Sequence, residues 1–370
     1  MMLPPTSTRS PLFALAVSAG FVLIFTFGFL AWQSPPRMTF TTEHEHITSP
    51  ASDHVKSPAI TDIIPLLYSS LTIAPAEPTF SYIDEGNNLT KLVLPPKPRY
   101  KKKLGKDVLI LDLETRSLPS EKDFEKGEFH WKKLNHVSGG VFNHYAYALA
   151  HGYDYKFIKA AEFEDRHATW IKPSAFANQI NDYKFIVFLD ADATFRFMHL
   201  PLEWLLNYWK IEPHHSITMA LDPWDPMHPE GNSDRFNRTL TNTGFVIVQN
   251  NANTQGILKA WHECPDDVRY QGCSEWKGPK FHEQSAFGEY VRYDYEKYIY
   301  ELPCAEANGY PGVRQSHCEG RFIRHYWFEK SRIKGDFSDN MMNAITLPLQ
   351  RIFAENTHGV VHEQKENVIL

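Results

Sequence analysis

The chain has 370 residues, with 38 Lys and Arg against 44 Asp and Glu and a formal net charge of −6. That length holds one large domain or two small ones. The charge balance gives no reason to propose nucleic acid as a partner.

Residues 1–10 read as a short cytoplasmic tail. From Pro11 to Trp32 the chain runs for 22 residues without a charge, dominated by Leu, Phe, Val, Ala and Ile, which is long enough to cross a bilayer as a helix. A cleaved signal peptide is the alternative, but its apolar core is commonly about 7 to 15 residues. Arg9 and Arg37 nearly balance across the span, so orientation rests on the ten-residue tail: the bulk of the chain falls on the far side of the membrane. Residues 33–103 are rich in Pro, Ser and Thr and lack sustained periodicity, which predicts a stem. The basic cluster Lys97 to Lys103 marks its end. Asn88-Leu-Thr90 and Asn237-Arg-Thr239 are glycosylation acceptors. Cys264, Cys273, Cys304 and Cys318 are the only cysteines, placed as paired lumenal cysteines would be. Without Cys-x-x-Cys a zinc site is not indicated. Of the three possible pairings, the most local joins Cys264 to Cys273 and Cys304 to Cys318.

The globular part is expected over residues 104–345, followed by a carboxyl-terminal tail over 346–370. Asp107 to Leu113 reads as a first strand. Gly140 to His151 has apolar and aromatic residues at helical spacing and is stopped by Gly152. Tyr155 to Ala160 is a second strand and Pro173 to Asn181 a second helix. Phe185-Ile-Val-Phe-Leu-Asp-Ala-Asp192 then takes an apolar run straight into two carboxylates. A short run of this kind suits a strand buried on both faces, and in parallel sheets ligands collect beyond the carboxyl ends of strands. Asp190 and Asp192 can there share one divalent cation that also holds substrate phosphates. The alternative is a loop whose aspartates cap the next helix. Ser216 to Leu221 and Gly244 to Gln249 add two strands. The alternation of strand and helix predicts an α/β fold with a mostly parallel sheet flanked by helices.

Asn143-His-x-x-Tyr147-Ala148-x-x-His151-Gly152-Tyr153-Asp154, Trp170-x-Lys-Pro173, Phe188-Leu-Asp-Ala-Asp-Ala193, Asn242-Thr-Gly244-Phe-x-Ile247, Trp261 and Glu283-Gln-Ser-Ala286 follow one another in this order. The series resembles the fungal galactosyl/mannosyltransferase family that includes the plant xyloglucan xylosyltransferases, over roughly Asp107 to Lys330. The resemblance implies a Rossmann-like GT-A fold, a nucleotide-diphosphate sugar as donor, Mn2+ or Mg2+ as cofactor, retention of anomeric configuration, and a single-pass type II protein of the Golgi membrane. Its partners would be a glycan or glycoprotein acceptor, the membrane and a complex of glycosyltransferases. Residue by residue it implies Asp190 and Asp192 as metal ligands, His325 as a third, and Lys330 as the residue that steadies the diphosphate. The intervening Tyr-Trp-Phe-Glu departs from the small, Gly-containing pattern of the family. Glu283 stands where the family has Asp.

Breaking the bond between sugar and diphosphate develops charge on the leaving group, which a cation and a lysine stabilise. Glu283 and Gln284 would face the reacting carbon, while Asn242 and Gly244 would shape the sugar-binding wall or simply lead into a buried strand. Two other readings stand beside retention: an inverting transferase with Glu283 as base, and an inactive glycan-binding protein with the same fold.

Overall fold

The computed structural model describes residues 62–116, 130–225, 227, 229–278, 281–313 and 318–362. The tail, the Pro11 to Trp32 span and the first part of the expected stem lie outside them. Among the described residues no helix is long and apolar enough to cross a membrane.

A six-stranded sheet organises the chain, in the order β4-β3-β5-β8-β7-β9: β3 (Val108–Glu114), β4 (Asp154–Lys159), β5 (Phe185–Leu189), β7 (Ile217–Leu221), β8 (Thr241–Gln249) and β9 (Ile299–Leu302). β3 pairs in parallel with β4 and β5, and β7 with β9, while β8 runs antiparallel to both neighbours. Five strands therefore point one way and one opposes them. Along β3 and β5 successive side chains enter opposite layers. Val108, Ile110, Phe185 and Val187 join one core, and Leu109, Leu111, Ile186 and Phe188 the other. Burial on both faces explains why these strands read as unbroken apolar runs.

Helix α2 (His136–His151) connects β3 to β4. Asn135 caps it by accepting from Val137 N–H at 3.2 Å, and Gly152 ends it at φ 75°, donating to Ala148 and Leu149 carbonyls. Helix α3 (Ile171–Gln179) connects β4 to β5. With α5 (Thr254–His262) it packs the Leu109 face through Phe176, Ile257, Leu258 and Trp261, while α4 (Leu202–Tyr208) packs the Val108 face through Leu202, Trp204, Leu205 and Leu206. The disulfides join Cys264 to Cys273 and Cys304 to Cys318.

The expected stem needs correction. Residues 62–103 carry helix α1 (Ile63–Ser69) and the hairpin of β1 (Thr79–Ile83) and β2 (Leu89–Val93). Tyr68, Phe80, Leu94 and Tyr100 are buried in the Val108 core, and Trp204 Nε1 donates to Glu77 O at 2.9 Å. Two five-residue strands and one two-turn helix are too short to raise a periodic signal. The boundary at residue 345 also falls inside a helix, α7 (Arg332–Glu355), which runs through Pro348. That boundary matches where burial ends, at Ala344, rather than where the helix ends.

Candidate active site

Asp190 follows directly on β5. Its N–H donates to Gly244 O at 2.8 Å, and Ala193 N–H returns to Asp190 O at 2.8 Å, closing a turn that carries Asp192. The chain then forms β6 (Ala193–Phe195), which pairs antiparallel with β10 (Ile323–His325) so that His325 stands opposite Ala193. This ribbon brings a histidine 133 positions later in the chain to the aspartates. Helix α2 pins the ribbon. Asn143 Nδ2 donates to Phe195 O at 3.1 Å and Asn143 Oδ1 accepts Phe195 N–H at 2.7 Å, while His144 bridges Asp112 Oδ1 (2.7 Å) and Ala193 O (2.9 Å). The Asn143-His motif thus positions the turn from Asp190 to Asp192. A Cβ on Gly140 would lie 2.2 Å from Ala191 O, so the helix approaches this turn only because residue 140 has no side chain.

Asp190, Asp192 and His325 each present a ligand atom within 4.8 Å of the other two. Two carboxylates and one imidazole are a donor set that manganese or magnesium accepts. His325 Nε2 lies 3.1 Å from Asp192 Oδ1, and its Nδ1 accepts the Trp327 indole N–H at 2.9 Å. Lys330 Nζ stands 2.6 Å from Asp192 Oδ2. Burial pushes the Asp192 carboxyl up, but His325 and Lys330 together hold it well below the usual carboxylate range. Burial raises the Asp190 carboxyl against the pull of Lys172, with the charge of Asp192 adding to the rise.

Gly244 serves this cluster rather than a sugar wall. A Cβ there would lie 2.1 Å from His325 Cε1, so the close approach it permits is that of the imidazole.

Lys172, within Trp170-x-Lys-Pro173, has a place in the site that its local sequence does not announce. It leaves α3 beneath the site, with Nζ 3.0 Å from Asp190 Oδ1 and 3.2 Å from Glu283 Oε1, and donates to Thr243 O at 3.2 Å. Burial lowers its pKa, but the two carboxylates outweigh that and raise it, so it stays charged. Glu283 requires the opposite correction. It is 2 % exposed, paired with Lys172 and hydrogen-bonded by Thr243 Oγ1 at 2.9 Å. Burial pushes its carboxyl up, yet Lys172 and its hydrogen bonds bring it below its ordinary value. It anchors Lys172 and lines the cavity as a paired carboxylate rather than a free one.

Gln284 is held at both ends, its Oε1 accepting Thr243 N–H at 3.1 Å and its Nε2 donating to Asp222 Oδ2 at 2.8 Å. Asn242 Nδ2 donates to Asp222 Oδ1 at 2.7 Å, and Asn242 Oδ1 accepts Gly244 N–H at 2.8 Å. Asp222, which follows β7 directly, therefore sets both amides, a role no sequence motif marks. Burial pushes its carboxyl up to about 6. A cavity of about 840 Å³ opens over these groups, lined among others by Asp222, Asn242, Gln284, Tyr310, Trp327 and Phe328. Asn88 and Asn237 are both exposed, the first in the β1–β2 turn and the second at φ 61° in the segment before β8.

No protein-family model and no curated protein matches this chain. Among solved structures it is similar to a glycosyltransferase involved in the glycosylation of the major capsid of PBCV-1, at 14% identity over 62% of this chain and 98% of that one, with a TM-score of 0.43. It is also similar to mouse xyloside xylosyltransferase 1, at 13% identity over 61% and 99%, TM-score 0.38. A third is the galactosyltransferase LgtC in complex with donor and acceptor sugar analogues, at 9% identity over 63% and 95%, TM-score 0.36. These likenesses are remote and give no residue a role.

Proposed function

We propose that the chain is a metal-dependent glycosyltransferase of GT-A type, anchored in the Golgi membrane with its domain lumenal, that moves a hexose or pentose from a nucleotide-diphosphate sugar to a glycan or glycoprotein acceptor with retention. The observation that carries the reading is the convergence of Asp190, Asp192 and His325, beside Lys330, on a cavity at the carboxyl ends of parallel strands. A cation of the manganese type, when bound, supplies positive charge against the donor diphosphate. Lys330 adds a second positive charge on the same side, and Lys172 fixes Asp190 from below. The bond from the anomeric carbon to the diphosphate oxygen breaks, and a bond to the acceptor hydroxyl oxygen forms. In the retaining course the hydroxyl proton passes to the leaving diphosphate. The Gln284 amide, locked by Asp222 and Thr243, borders the reacting carbon without rearranging. Tyr310, Trp327 and Phe328 offer ring faces of the kind sugars stack on.

A second reading keeps the fold and inverts configuration. Here the observation is Asp222, a cavity carboxyl whose raised pKa of about 6 suits a proton acceptor, whereas Glu283, in the same cavity, is paired with Lys172. The intact cation cluster weighs against an inactive binding protein.

The test is donor hydrolysis by the purified chain across nucleotide sugars, with and without manganese. One donor is expected to be consumed in a manganese-dependent way, and Asp192→Asn is expected to lose about 100-fold or more of that rate with the fold intact. Near-normal turnover by Asp192→Asn at saturating manganese would overturn the proposal. Proton NMR of the first-formed product separates the courses: an α-linked product from an α-linked donor is retention, and a β-linked one moves the proton acceptor to Asp222.

A further inference from the structure

A second cavity, of about 530 Å³, opens between α1, the β1–β2 hairpin and α7, within the size range of ligand sites, about 300 to 1,000 Å³. No residue that lines it lines the first cavity. Its strongest charges already have partners. An Arg196 guanidinium nitrogen lies 2.9 Å from Glu85 Oε1, which Arg324 also contacts, and a second Arg324 nitrogen lies 3.2 Å from Asp336 Oδ1. The Tyr326 hydroxyl donates to the other Asp336 oxygen.

What remains open is a set of hydrogen-bonding groups. Asp336, Asn340, Asn343 and Leu347 follow one another along α7 at helical spacing and line the cavity, with Asp339 beside them. Among the described residues no hydrogen bond or ion pair reaches the side chains of Asp339, Asn340 and Asn343. His199 lines the same space, and its ring nitrogens likewise have no partner among the described residues. Burial lowers the imidazole pKa to about 4, so at neutral pH the ring is uncharged and offers one donor and one acceptor. Each amide adds an NH₂ donor group and an acceptor oxygen, while Asp339 only accepts. Leu71, Tyr82 and Ile83 supply an apolar wall.

This mixture selects the ligand class. An apolar occupant would leave the amides and His199 unpaired out of water, and an anion would meet Asp339, the lining carboxylate without a cation partner. A sugar ring carries C–H faces for the apolar wall and hydroxyl edges, each hydroxyl both donor and acceptor. We propose that this cavity binds an uncharged saccharide unit, its hydroxyls on Asp339, Asn340, Asn343 and His199 and a C–H face against Tyr82 and Ile83. The site is separate from the catalytic reading, because its occupancy needs neither cation nor nucleotide.

The experiment uses the full chain in phospholipid nanodiscs, without manganese or nucleotide. All four native cysteines are in disulfides, so Leu347→Cys, at a lining residue that is 48% exposed, takes a trifluoromethyl label as the only free thiol. Lactose, maltose and cellobiose are the probes, at up to about 10 mM to reach millimolar affinities. At least one is expected to shift the fluorine resonance in a saturable way. Adding Asp339→Ala and Asn343→Ala, both on the exposed side of the helix, is expected to weaken that binding about five-fold or more. No shift with any of the three would overturn the site. An equal shift in the doubly substituted chain would place the sugar elsewhere, with the same consequence. A shift with glucuronate or inorganic phosphate but with no neutral sugar would put an anion on Arg196 and Arg324 and overturn the ligand class.

Discussion

The ammonium of Lys330 stands 2.6 Å from Asp192 Oδ2, on a carboxylate that also faces His325. A cation and the lysine therefore compete for one oxygen pair. The same lysine favours a bound diphosphate, so its removal has opposite effects on the two ligands. Lys330→Met is expected to tighten manganese binding alone by about three- to five-fold, about 1 kcal/mol for a partly exposed charge, and to weaken binding of a nucleoside diphosphate in the presence of manganese by about ten-fold. Calorimetric titration of both ligands checks the signs. If both affinities move together, Lys330 is not shared in this way.

Gly244→Ala tests the architecture behind the histidine. The new Cβ would meet His325 Cε1 at 2.1 Å, and β8 is buried along its whole length, so the ring must yield. We expect manganese affinity to fall about ten-fold or more, with a stability loss of about 1 to 3 kcal/mol from overpacking. A variant that binds manganese as well as the parent would show that His325 is not a ligand.

Asp222 gives a pH signature. Its pKa rises from 3.8 when unfolded to about 6 in the folded chain, chiefly through burial. Native protein therefore holds this proton more tightly. The stabilisation is complete below pH 4 and is lost as pH rises through about 6, on the order of 3 kcal/mol in all. Denaturant titrations from pH 4 to 7 should show this decline in the parent and a flatter profile in Asp222→Asn. Parallel profiles would mean that Asp222 titrates normally.

The topological expectation is separable from the enzymology. Asn88 and Asn237 are exposed, so a lumenal domain would present both to the glycosylation machinery. Enzymatic deglycosylation should sharpen and shorten the band on a gel, and Asn88→Gln with Asn237→Gln should abolish the shift. Loss of the domain to protease added outside intact microsomes would put it in the cytosol.

The turn from Asp190 to Asp192 was legible because burial of β5 on both faces leaves an apolar run that ends abruptly at Asp190. His325 was reachable only through resemblance, since the β6–β10 pairing that brings it to Asp192 is only three residues long on each side. Lys172 and Asp222 were missed for a shared reason: each acts on residues far away in the chain, Lys172 on Glu283 and Asp222 on Gln284, and no local pattern announces such a contact. Glu283 was misread because a carboxylate beside Gln284 looks free until its lysine is found. The hairpin at 79–93 escaped because neither strand exceeds five residues.

The Cys304–Cys318 bridge closes the stretch that bears Tyr310 on the cavity wall and Gly309, whose carbonyl receives the His325 N–H at 2.7 Å. A Cβ at Gly309 would fall 1.8 Å from Cys318 O, so the bridge and the histidine's support are packed as one unit. The redox state of this bridge would thereby reach the proposed cation site. A mild reductant would loosen His325 and the cavity wall while leaving the central sheet folded. A preparation exposed to dithiothreitol would then fail to bind manganese and still look native by circular dichroism.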